Sequence, residues 1–499
     1  MDKFIESVQS HDIPLGVFDK FIALIYVPFY YWFENTSPVG SWGAFMPPDI
    51  LCSSFYKALQ DFPILSGRFK VNSSSCGYVE VDRNNLNMPV YTDTDWDVEF
   101  KHLMDMGFKT NLLPENFDEF CGIVAASRFG TVSAKLGIFH VRRLKNYSGV
   151  VVFASIPHAI VDGYGYLAFM NRWAEISKWM HENPTINGLE LPTVTFDHDR
   201  SIHSEYKLEG TDTIDDLQLK LIASGNFATR FLSSLPTDKC NHFLKLLAPA
   251  DIPCCSFHVP TRSIETLRVS VQEYAPPETR YSTNDVLAAL LTMVIGQAIH
   301  QTHVKDQNTL VSKITCALFE ACNNKSNGTL LSIPVNLRPH TNHPRAKDYV
   351  GNLAFPRQIV FPHALVQADL NPENISAIAA TIRNVMSAID KKYIGQLNYL
   401  MNSKPDMYMR MAMGLAGYKN AITVTNISKF GLYETDFGAG IPRLVRPILC
   451  TLPNVVVVMP CHPDIGGYEL VITLEKDISN IVAQNNNFMC LVDSCRLDI

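Results

Sequence analysis

Two residues in one short turn are the first candidates for chemistry. They are the histidine and the aspartate of His158-Ala-Ile-Val-Asp162-Gly163, which follow the apolar run GVVVFASIP. An imidazole, with an ordinary pKa of about 6.5, accepts a proton at neutral pH, which suits deprotonating an alcohol or amine as it attacks a carbonyl. Such a base contributes roughly 10²- to 10⁴-fold in rate. Asp162 could orient the imidazole or stabilise its charge; it could equally pair with an arginine and hold the turn closed, and the second role is preferred. Gly163 lets the turn adopt unusual φ/ψ and lets a substrate approach the backbone. Because a lone His-x-x-x-Asp-Gly recurs by chance, the motif needs support from elsewhere in the chain.

The elements around the motif put it where reactive side chains are commonly presented. From Gly149 to Ile156 the run is short, β-branched and apolar on both faces, as in a central strand. Beyond Gly163, Tyr166, Phe169, Met170, Trp173 and Ile176 recur at three- and four-residue steps and mark one buried helix face. His158 therefore lies in a strand-to-helix turn. A further helix runs from about Ile50 to Leu59 and stops before Phe62-Pro63, since proline disfavours the α conformation in its predecessor. Another spans Ser282 to Ile299, with Ser282, Thr283 or Asn284 as N-cap. The runs TVTNI, NVVVVMP and YELVITL read as late strands before a closing helix. Without internal repeats, these alternating runs indicate a mixed α/β chain.

A chain of 499 residues exceeds one ordinary core, so two domains of roughly 200 to 250 residues are expected. The composition shifts to a Pro-, Gly- and Asp-rich stretch between about His181 and Asp215, which divides the chain into residues 1–190, a crossover linker 191–225, and residues 226–499. With 47% apolar and 18% charged residues, extended disorder is excluded. Lys plus Arg number 42 against 49 acids, and no dense basic cluster is present, which argues against nucleic acid. The N-terminus lacks the pattern of a secretory signal, so a cytoplasmic location is expected. The segment Phe21 to Phe33 has a central proline and is shorter than the about 20 residues needed to span a bilayer, and reads as a buried strand. Twelve cysteines without CxxC pairs fit reduced thiols. His340 with His343, and Cys461-His462, lack a third ligand, so no metal is expected.

The His158 motif, together with Asp436-Phe-Gly-Ala-Gly440 far downstream, resembles the signature pair of the BAHD family of acyl-CoA-dependent acyltransferases, His-x-x-x-Asp and Asp-Phe-Gly-Trp-Gly, in the family's order and spacing. Leu51 to Lys70, STNDVLAALL, VNLRPH, YVGNLAFP and GGYELVITLE are similar to further blocks of the family, so the resemblance spans about Leu15 to Leu491. It implies a two-domain, chloramphenicol-acetyltransferase-like α/β fold, each domain a mixed sheet flanked by helices, with the active-site channel between the domains. It also implies acyl-CoA as co-substrate, no permanently bound cofactor, and transfer to a hydroxyl or amine of a small, fairly apolar metabolite without a covalent acyl-enzyme. A thioester is already activated, so positioning, one base and oxyanion stabilisation suffice.

Carried over residue by residue, His158 is the base and Asp162 is structural. Asp436, with Gly438 and Gly440, is a structural motif whose expected arginine partner is Arg338. Where the family reads Thr-Ser-Trp, this chain reads Thr425-Asn426-Ile427, leaving Thr425 as the candidate oxyanion donor, while Ile427 donates nothing. Ala439 replaces the second family tryptophan, and both losses bear on the acceptor side. The aromatic stripe Phe29 to Phe33 reads as core, yet the family lines its acceptor channel there, which makes Tyr30 and Tyr31 candidates for substrate contact. A monomer is expected. Two other readings stand beside this one. A condensation-domain-like transferase would use carrier-bound acyl groups, but normally has His-His where this chain has Pro157-His158; an inactive relative would act as a binding protein.

Overall fold

In a computed structural model the described residues are 2–21, 26–37, 45–71, 77–109, 112, 130–131, 135–184, 193–207, 252–305, 328–403, 420–448 and 453–498. The chain forms two compact units. Neither is one contiguous half. The first takes Met1–Ser204, Pro344–Leu353 and Phe430–Cys450, and the second takes Glu205–His343, Ala354–Lys429 and Thr451–Ile499. This corrects the linear division expected from composition. The physical reason is pairing across long sequence distances: Leu444–Pro447 adds a strand to Tyr26–Glu34, and Val350 N–H donates to Asp197 C=O. As a consequence the Asp436 motif belongs to the first unit, not to a C-terminal domain.

The first unit is built on a five-stranded sheet. Its order is Leu444–Pro447, Tyr26–Glu34, Gly149–Pro157, Ile138–Leu144 and Val90–Trp96. Only the last pair is parallel. As expected for a central strand, every residue of Gly149–Pro157 is buried. Against one face pack the helices Pro48–Asp61 and Gly163–Glu182, which also contact each other. Phe55 of the first meets Phe139 of the sheet at 5.0 Å and Trp173 of the second at 5.2 Å between ring centroids. Both Phe55 and Trp173 are fully buried, and each contributes about 2–3 kcal/mol by leaving water. On the opposite face Tyr30, Trp32 and Phe153 are covered by Phe100, Leu103 and Phe108. A separate four-stranded sheet runs in the order His11–Pro14, Gly77–Val81, Arg68–Val71 and Gly130–Thr131.

In the second unit a seven-stranded mixed sheet has the order Ala354–Pro362, Gly328–Asn336, Ala421–Asn426, Val455–Pro460, Tyr468–Thr473, Cys254–Val259 and Ser494–Asp498. Ala421–Asn426 is parallel to both of its neighbours, and the remaining pairs are antiparallel. Along Thr283–Lys305 the residues Val286 to Ile295 are all buried, as befits a helix that is apolar all round and lies inside a core. Of the three expected caps it is Ser282 that acts: its Oγ accepts from Asp285 N–H, and the Asp285 carboxylate accepts from Ser282 N–H at 2.7 Å.

Candidate active site

The strand Gly149–Pro157 delivers His158 to a tight turn, and the helix Gly163–Glu182 begins five residues later. His158 is half-buried. Its Nδ1 lies 3.2 Å from Asn352 Oδ1, and its backbone carbonyl accepts from Asn352 Nδ2 at 2.8 Å. Among the described residues nothing bonds to Nε2.

Asp162 is the N-cap of the helix, with extended backbone angles. Oδ1 accepts from Tyr164 N–H and Gly165 N–H, both at 3.1 Å, and Oδ2 accepts from Leu353 N–H at 3.0 Å. A buried carboxylate thus closes the turn by way of backbone amides, two from its own helix and one from a segment 191 residues away. Gly163 is favoured by close packing and not by an unusual backbone angle. Its φ is not in the left-handed region, but a Cβ there would lie 2.6 Å from the Phe430 ring. Gly165 is tighter still, since a Cβ would lie 1.9 Å from Val350 C=O.

The second signature forms its own turn. One oxygen of Asp436 accepts from Gly438, Ala439 and Gly440 N–H at 2.9, 3.1 and 2.9 Å. Its other oxygen pairs with Lys178 Nζ at 2.7 Å. The expected partner Arg338 is therefore corrected to Lys178. Lys178 stands on the helix that begins at the His158 turn, so the pair ties the two motifs to one element. Burial pushes the Asp436 carboxyl up, but Lys178 and the amides outweigh it and hold the carboxyl below the usual range. Gly438 at φ +96° and Gly440 at φ +90° occupy a region that side-chain-bearing residues rarely adopt. Phe437 anchors the turn in the core, 4.9 Å from Trp173 between ring centroids.

Tyr30 and Tyr31 are corrected as well. Both are 0% exposed, on a strand hydrogen-bonded along both edges and covered on both faces. Tyr30 stacks on Trp32 at 5.3 Å. They are core residues and present nothing to a substrate. In the second unit, alternation along Ala421–Asn426 buries Ile422 and Val424 and leaves Thr425 half-buried on the other face. Next to it, Asn426 binds Asn284 Oδ1 at 2.8 Å and accepts from Ser428, tying the strand end to the start of the long helix.

Asn352, Asp19, Arg200 and Lys178 were not among the residues singled out from the sequence. Asn352 lies in the YVGNLAFP block; Asp19 and Arg200 carry no local signal at all. Among the described residues no group of three or more His, Cys, Asp or Glu is placed to hold a metal ion, and no helix is long and apolar enough to cross a membrane.

With this geometry established, the chain can be set beside known proteins. The Transferase family profile matches residues 5–195 and 297–488. The chain is 26% identical over 209 residues to putrescine hydroxycinnamoyltransferase 1 of Oryza sativa subsp. japonica, covering 39% of this chain and 44% of that one. It is 26% identical over 224 residues to the O-acetyltransferase pyr7 of Aspergillus fumigatus, covering 42% and 38%. Each alignment thus spans less than half of the relative. In fold it is similar to F. sporotrichioides TRI101, solved with coenzyme A and T-2, with a TM-score of 0.68 at 15% identity over 98% of this chain and all of that one. Vinorine synthase matches with a TM-score of 0.60 at 14% identity, over 98% of each chain. A condensation domain of the CDA synthetase matches with a TM-score of 0.54 at 12% identity, over 97% and 96%. These structures show the chloramphenicol-acetyltransferase-like α/β fold, and the profile match over most of its length shows that the chain belongs to the BAHD acyltransferase family.

Proposed function

We propose that this chain moves an acyl group from acyl-CoA to a hydroxyl of a small, fairly apolar metabolite in a ternary complex, acting as a cytoplasmic monomer. The observation that carries the reading is the state of His158. One ring nitrogen is held by Asn352, while the other has no partner among the described residues.

In the proposed step Nε2 takes the acceptor's proton as the oxygen bonds to the thioester carbonyl carbon, giving a tetrahedral oxyanion and an imidazolium. The oxyanion collapses, the C–S bond breaks, and the imidazolium returns the proton to the departing thiolate, leaving ester and free CoA. Thr425, with no hydrogen-bond partner for its hydroxyl among the described residues, is the candidate donor to the oxyanion. Asp162 and Asp436 hold turns in this scheme and do not touch reacting atoms. A specific observation keeps amines as a second acceptor class: the rice relative is named for putrescine, whereas the Aspergillus relative is named an O-acetyltransferase.

The test is release of free CoA thiol from a panel of donors, acetyl-CoA through benzoyl-CoA, with pooled alcohols and pooled amines, and the product identified by mass. Acceptor-dependent release from the alcohol pool is expected; release from the amine pool alone moves the reading to N-acylation. If no acyl-CoA binds, the acyl-CoA reading falls, and the carrier-dependent alternative, whose domains share the fold, takes its place.

A further inference from the structure

We infer that Asn352 is a positioning residue that locks His158 in the Nδ1–H tautomer, with Asp19 and Arg200 fixing Asn352 in turn. The assignment follows from hydrogen-bond chemistry alone. The two ends of an asparagine amide are alike in shape, so their identity must come from their neighbours. One end of Asn352 lies 3.0 Å from a carboxylate oxygen of Asp19 and 2.8 Å from the carbonyl oxygen of His158. Both neighbours are acceptors, so this end is the NH₂ group. The other end, 3.2 Å from His158 Nδ1, is the oxygen, and an amide oxygen can only accept. Nδ1 must therefore carry a hydrogen. A neutral imidazole has one N–H, which leaves the lone pair on Nε2.

The opposite tautomer would set two lone pairs against each other at that 3.2 Å contact, and Asn352 cannot turn over to accept it. It is 0% exposed and every polar group is engaged: its N–H donates to Asp19 Oδ1 at 3.1 Å, and its C=O meets His203 Nε2 at 2.9 Å. Reversing the amide would aim its oxygen at two acceptors inside a dry site. Asp19 is equally fixed. Its Oδ2 accepts from Gly16 N–H at 2.9 Å and lies 3.5 Å from Arg200 Nε, an ion pair with neither partner open to solvent. Arg200 donates onward to His198 C=O and to Ile160 C=O, each at 2.8 Å, and Ile160 belongs to the His158 turn itself. The turn is thus gripped at His158, Ile160 and Asp162, while the ring is steered by one atom of Asn352.

A device of this kind serves a base that must later act as an acid. Nδ1–H is a donor in the neutral ring and in the imidazolium alike, so the bond to Asn352 survives protonation at Nε2 and the ring need not reorient. That His158 is the base rests on the function proposed above; its tautomer does not.

The experiment is NMR on the full chain with ¹⁵N,¹³C-labelled histidine, with the His158 ring signals assigned by difference from His158→Gln. The Nδ1–H form is expected in the wild type, and an Nε2–H form there would overturn the inference whatever any variant does. In folded Asn352→Ala the His158 signals should move to a mixture of tautomers, and kcat should fall by roughly tenfold to a hundredfold, with KM for the acyl donor changed by less than about threefold. A folded Asn352→Ala that kept both the Nδ1–H form and its kcat would overturn the positioning role. Full activity in His158→Ala would sink the base reading instead, and the wild-type tautomer would still be decided by its own spectrum.

Discussion

Two aspartate–glycine turns of the first unit look alike in sequence and do different work. Asp162 and Asp436 each collect backbone amides, and each is followed by a glycine-bearing turn linked to the helix Gly163–Glu182. The first turn contains a histidine, His158, whose Nε2 has no partner among the described residues. The carboxylate of the second is paired with a lysine that is itself half exposed. The second turn packs against His181 at Gly438, so what separates the two is that the first contains its histidine within the turn and holds that ring through Asn352.

The largest expected difference between them is catalytic. His158→Ala should lower kcat by about 10² to 10⁴ and, by leaving the buried Asn352 Oδ1 without its donor, cost about 1 kcal/mol of stability, whereas Asp436→Ala should leave the rate of the folded protein within a few-fold. Acid limits the range in which the two turns can be compared. His140 and His198 are buried, and desolvation, the largest cause in each case, holds both imidazoles down at about 4. An unfolded chain takes up these protons near 6.5, while the folded chain does so only near 4. Stability from these groups is therefore complete above about pH 6.5 and is lost as pH falls toward 4, by on the order of 3 kcal/mol per imidazole at most. A melting temperature measured across that window, flat above it and declining below, checks the sign.

Stability should then rank the two aspartates. Asp162→Ala removes an N-cap and leaves the buried Leu353 N–H without its acceptor, for a loss of about 2–4 kcal/mol. Asp436→Ala orphans amides that water can reach in part, for about 1 kcal/mol. Urea midpoints of the two variants decide the ranking, and equal losses would erase the distinction between a buried and a partly exposed carboxylate. The smallest effect is that of Lys178→Met, below about 1 kcal/mol because the ion pair is solvent-screened. A larger loss would mean that Lys178 supports more of the Asp436 turn than its exposure suggests.

Much of this arrangement is legible in the sequence. The strand before His158, the helix after it and the buried face from Tyr166 to Ile176 follow from period and β-branching, which are local properties of the chain. Phe437, and glycines at positive φ at Gly438 and Gly440, also fit a motif read as structural. What could not be read is what depends on long-range register. Nothing near Asp436 favours Lys178 over Arg338, because the choice is made by where the helix Gly163–Glu182 brings its last turns. The same holds for the return of Leu444–Pro447 to the first sheet, which broke the expected linear domains. Tyr30 and Tyr31 read both as core and as candidate substrate contacts because burial on both faces of a central strand leaves the same aromatic pattern as a lined channel. Asn352 meets His158 across 194 residues, a contact that no local pattern announces.

In the proposed reaction His158 moves the proton while the aspartates only hold their turns. This is tested most directly by acceptor-dependent CoA thiol release from purified, folded His158→Ala beside the wild type, at a pH above the acid window. Release by the wild type and a loss of at least about a hundredfold in the variant are expected. Equal rates in the two would contradict it, and would require the proton to leave by a group other than His158.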